Sequence, residues 1–105
     1  MNNYQIINRI RYLVEGDLPK LSPPLRAWAE RHLVEPREVV LSRDETGYGA
    51  ITLWLVTDDI GFQDASSRVV FDSEKERFGL AMKMTNDVHW FMGLYGNFAD
   101  TVEAI

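Results

Sequence analysis

Two histidines, His32 and His89, and a scatter of carboxylates are the residues of this chain that could do chemistry. Histidine is the side chain whose ordinary titration range suits proton transfer near neutral pH. His89 stands two residues from Asp87, so an extended backbone projects both from one face. With Tyr95 they would stand at the mouth of a pocket. His32 follows Arg31 and lies near Glu30 and Glu35, late in a predicted helix, where a polar or cationic residue ordinarily offsets the helix dipole. Nucleophiles have no recognisable partner: Ser66, Ser67 and Ser73 lack the glycine elbow that exposes a hydrolase serine.

Metal and phosphate chemistry find less. Asp58, Asp59 and Asp64 form a loose acidic loop that fails the fixed offsets of oxygen ligands, central glycine and terminal glutamate in a calcium-binding loop. Gly47-Tyr48-Gly49 and Gly93-Leu94-Tyr95-Gly96 lack the Gly-Lys-Ser/Thr of a P-loop and the three glycines of a dinucleotide loop. A GxxG nucleic-acid clamp needs basic neighbours, and residues 87–105 contain no Lys or Arg. No catalytic residue, metal or cofactor is expected.

Charge is unevenly placed. Residues 1–43 carry seven Lys/Arg against five Asp/Glu, and residues 44–105 carry four against eleven. The total of −5 opposes nucleic-acid binding, whose affinity comes from cations that displace counterions. Acidic residues concentrate in predicted turns and would steer a basic protein toward the chain. Tyr48, between two glycines at a hairpin tip, and Phe62 add aromatic anchors of the kind that dominate interfaces. The partner-binding candidates are therefore Tyr48, Asp58, Asp59, Phe62 and Asp64. The leading expectation is a protein-binding module: an antidote, inhibitor or adaptor for a basic partner. The alternatives are a ligand binder or enzyme with a pocket near the 77–96 hairpin, using Asp87, His89 and Tyr95, and a structural homodimer subunit.

Such residues need elements to position them. At 105 residues, with 46% hydrophobic and 11% aromatic side chains, the chain reads as one domain over 1–105 with a real core. Cysteine is absent, so no disulfide contributes. No basic-then-apolar leader and no apolar run of about 18 residues is visible, so a cytoplasmic protein off the membrane is expected.

Residues 3–15 place Ile6, Ile7, Ile10, Leu13 and Val14 at helical spacing, and Gly16-Asp17 marks the end. Ser22-Pro23-Pro24 starts a second helix that runs to Leu33 and stops before Pro36. Period-2 alternation then predicts strands over 38–43, 50–57, 67–72, 78–84 and 88–95. The 50–57 strand is apolar on both faces and should be central. Residues 88–105 would also line one face of a long helix, but Gly93 and Gly96 oppose that, and Asn97 suits the cap of a short helix over 98–104. The expected fold is α+β: two N-terminal helices, a five-stranded antiparallel meander and a short C-terminal helix. Truncation in its central strand, Trp54→Ala, should cost about 3–5 kcal/mol. A denaturant melt showing a loss below about 1 kcal/mol would mean Trp54 is exposed.

Overall fold

Asn2 opens the first helix by a reciprocal cap. Its side chain accepts from the Gln5 N–H, and the Gln5 side chain accepts from the Asn2 N–H, both at 2.9 Å. The computed structural model describes residues 2–43, 49–58, 67–83 and 89–105. Helix α1 (Asn3–Asp17) runs one turn-fraction past the expected end and tightens into a 3-10 turn at Leu18–Lys20. Helix α2 (Pro23–His32) begins at Ser22, as the Ser-Pro-Pro sequence indicates, although the serine side chain makes no capping bond.

Strand β1 (Leu33–Ser42) follows α2 with no loop between them. Pro36 does not separate helix from strand as expected; it is buried inside β1. The reason is a bulge. Leu33 pairs with Thr57 and Arg37 with Leu55, so Val34, Glu35 and Pro36 together face only Val56. Proline has no N–H for a ladder, and a bulge is where a strand tolerates that loss.

Strands β2 (Ala50–Thr57), β3 (Ser67–Asp72), β4 (Arg77–Lys83) and β5 (His89–Gly96) continue as antiparallel neighbours. The strand-then-helix form of the last segment holds, with α3 (Phe98–Glu103) capped by Asn97, whose side chain accepts from the Asp100 N–H at 2.8 Å. The α+β fold, with its helices and five-stranded meander, is the one expected. The meander also closes into a barrel, which was not foreseen. Five strands alternating in direction leave the first and last parallel, and β1 meets β5 in parallel through Ser42 and Trp90.

Two apolar layers result. Trp54, Val56, Val69, Phe71, Phe78 and Leu80 meet Ile10, Val14 and α3 in one core. Rings carry the contact from sheet to helix, with Phe71–Phe78 centroids 4.8 Å apart and Phe78–Phe98 5.6 Å apart. Leu41, Leu53, Leu55, Val70 and Ala81 form a second core on the opposite face. A ring of five strands is too narrow to enclose a helix, so this second set is the barrel's interior. Fully buried Thr57 accepts from the Val69 N–H at 2.9 Å through its hydroxyl, beyond the last β2–β3 ladder pair. Asp17, at the end of α1, accepts from the Ala99 N–H at 3.1 Å and so ties α1 to the start of α3.

Strand β5 bulges twice against β4, and Gly93 and Gly96 there take φ of 117° and 112°, values that side chains disfavour. Gly79 lies opposite, and a Cβ on it would fall 2.3 Å from the Gly93 carbonyl oxygen. Gly79→Ala should therefore destabilise by about 1–3 kcal/mol, the range for overpacking. Gly16→Ala, in α1 with nothing within 4 Å of its Cβ, should instead stabilise by up to about 1 kcal/mol. Paired denaturant melts check both signs.

Candidate functional site

Helical spacing aligns Tyr4, Asn8 and Tyr12 in a stripe opposite Ile6, Ile10 and Leu13. The core takes the isoleucines and leaves the tyrosines outside, with Tyr4 73% and Tyr12 67% exposed. An arginine flanks the stripe on each side, and each is held. Arg9 bonds Glu76 at 3.0 Å, and its guanidinium stands 5.6 Å from the centroid of the Tyr12 ring. The Glu76 hydrogen bond, then its charge, raises the Arg9 pKa above its usual value. Arg11 pairs with Glu35 of β1. The outcome is an aromatic and arginine surface presented on a rigid helix. Neither tyrosine is among the residues that the sequence singles out. The signal that could have found them is their wheel position, on the side of the helix away from every residue assigned to its core.

Beside this stripe the bulge of β1 opens a cleft of about 290 Å³ between α1 and the barrel. Val14, Leu18, Leu33, Val34, Pro36 and Val56 line it, and Arg11 and Glu15 stand at its edge. A shallower cleft of about 590 Å³ lies between α2 and α3, around Leu25, Trp28, Arg31, Val102 and Glu103.

Of the residues singled out from sequence, Tyr48, Asp59, Phe62, Asp64 and Asp87 lie outside the described residues. Asp58 is exposed at the end of β2 but already engaged. Its carboxylate meets His32 Nδ1 at 2.7 Å, and its N–H donates to the His32 carbonyl at 2.9 Å. An ionised carboxylate only accepts, so Nδ1 carries the proton of this bond. His32 also packs edge-on against Trp28, with centroids 5.8 Å apart. The pair joins α2 to the end of β2. Two further turn carboxylates are similarly occupied: Asp72 accepts from the Glu74 and Lys75 N–H groups, and Glu76 holds Arg9.

His89 is 9% exposed and shares the interior face of β5 with Phe91. Tyr95, 43% exposed, stands six residues further along, roughly 20 Å at the rise of a strand. One bulge, at Met92, intervenes, and Tyr95 itself lies in the second, so the simple alternation that would put the two on one face is broken. The structure does not bring them together. Among the described residues there is no cluster of His, Asp and Glu fit to hold a metal, and no helix is long and apolar enough to cross a membrane.

No protein-family model, curated protein or solved structure matches this chain.

The Asp58–His32 contact is exposed enough for solvent to screen it, so Asp58→Ala should cost no more than about 1 kcal/mol. Asp58→Asn keeps an oxygen acceptor and should cost less. Melts in which Asp58→Ala loses several kcal/mol would reveal a larger structural role than the geometry gives it.

Proposed function

We propose that the protein is a non-catalytic protein-binding module that docks a partner on the outer face of α1. One observation carries the reading: two tyrosines and an ordered arginine share an exposed helix face. Tyrosine and arginine are enriched among the residues that dominate binding energy, because each offers a large contact area with a polar tip. Ordering adds to the effect. Arg9 is held between Glu76 and Tyr12, and α1 is fastened through Asp17 to α3 and through Arg11 to β1, so little freedom is lost when a partner arrives. The net charge of −5 supports a partner of opposite sign, since complementary fields raise the encounter rate. An antidote, an inhibitor and an adaptor for a basic protein all fit this description.

The test is photo-crosslinking in the native cell, with a benzophenone side chain placed at position 4, at position 12 or at exposed position 40 on β1. Adducts from 4 and 12 but not 40 are expected, to a protein rich in Lys and Arg. With that partner purified, Tyr4→Ala and Tyr12→Ala should each weaken binding at least about tenfold, as expected of anchor residues. The melts of both variants should be unchanged within about 0.5 kcal/mol, as for surface substitutions. Wild-type affinity in the double variant would remove α1 from the interface. An adduct to a second copy of the chain, with a dimer in solution, would make the protein a homodimer subunit.

A further inference from the structure

The bulge in β1 does more than accommodate Pro36. Three residues opposite one force the strand away from β2, and α1 bridges the gap instead of filling it. What remains is the cleft of about 290 Å³ beside the tyrosine stripe, with fully buried Val56 among its lining. Its volume is close to the lower limit for small-molecule sites, so it suits one side chain or a small fragment. Its edge is not neutral. Arg11 is paired with Glu35, whereas the Glu15 side chain makes no hydrogen bond or ion pair among the described residues. Among the described residues, the edge therefore carries one unmatched carboxylate next to an apolar hollow.

We propose that this cleft receives an aliphatic or aromatic side chain of the partner protein, flanked in the partner's sequence by a lysine or arginine that meets Glu15. This rests on the protein-binding reading and names the feature of the partner that the site selects. The apolar lining supplies affinity by removing the anchor from water. Glu15 supplies selection: it favours a cation beside the anchor and repels a carboxylate there. Arg11 and Glu15, which edge the cleft, lie on α1 next to Tyr12, so an anchor in the cleft stands on the same helix as the stripe.

The test uses small peptide probes on the whole protein, followed by amide chemical shifts. N-acetyl-leucyl-lysine amide should cause saturable shifts at Val14, Leu18, Val34 and Val56. N-acetyl-leucyl-glutamate amide should bind about two- to fivefold more weakly, the ratio expected for one exposed charge contact. The difference should vanish in Glu15→Gln, a surface change that leaves the fold alone. N-acetyl-glycyl-lysine amide should give no saturable shift, because it has no anchor. Four results would overturn the proposal: no saturation by the leucyl-lysine probe, shifts centred elsewhere, equal affinity for the lysine and glutamate probes, or equal affinity for the glycine and leucine probes. Tyr4→Ala/Tyr12→Ala should leave probe binding unchanged, so failure here and failure of the α1 docking face are separate outcomes.

Discussion

Strand β5 bends twice, and the barrel depends on it. A meander of five strands can remain an open twisted sheet; closure requires the last strand to curl back to the first. Each bulge adds a residue on one side of the ladder and increases local twist. The two in β5 coincide with Gly93 and Gly96, whose backbones adopt φ values that a Cβ would oppose. Gly79 completes the arrangement from β4, because the Gly93 carbonyl occupies the space that any larger residue there would need. Curled in this way, β5 brings Trp90 to Ser42, and the ring shuts through a parallel contact. Glycine serves here for close approach and unusual φ rather than for flexibility.

Closure then sorts the apolar residues. A strand with two buried faces, such as β2, must satisfy an inner and an outer core at once. Leu53 and Leu55 turn inward, while Trp54 and Val56 meet the helices. The outer layer is where α1 and α3 attach, and Asp17 joins them by capping one helix from the end of the other. A helix held along its inner face presents its outer face in a defined orientation. The exposed tyrosines are thus a consequence of how the barrel is covered.

The local features of this architecture were legible from residue order. Alternation over 50–57 and 67–72 marked strands because both partners of each pleat are visible within a few residues. Asn97 marked the last helix because a cap acts within three residues. Contacts between distant segments were not legible. Closure joins residues 42 and 90, and the Asp58–His32 contact spans 26 positions, so no local pattern encodes either. Pro36 misled for a related reason. Proline ends helices reliably, but its tolerance inside a bulge depends on what the opposite strand does. As for the site, the tyrosines of α1 carry only a wheel position as a signal in the sequence, and their exposure adds the rest.

Electrostatics also change meaning once the structure is known. Acidic turns in a sequence suggest a field of unspent charge, yet Asp58, Asp72 and Glu76 each hold a neighbour in place. Local pairing does not alter the total of −5, so attraction toward a basic partner at long range survives. Near contact the situation differs, because screening limits each charge to about 8 Å at physiological salt. Only the charges close to α1 then matter, and most of them cancel: Arg9 against Glu76, Arg11 against Glu35. Asp17 pairs with Lys20, so of the charges on α1 itself Glu15 is the one with no ion pair among the described residues. In the proposed complex a field spread over half the chain would bring a partner in, and a single carboxylate beside an apolar cleft would distinguish one partner residue from another.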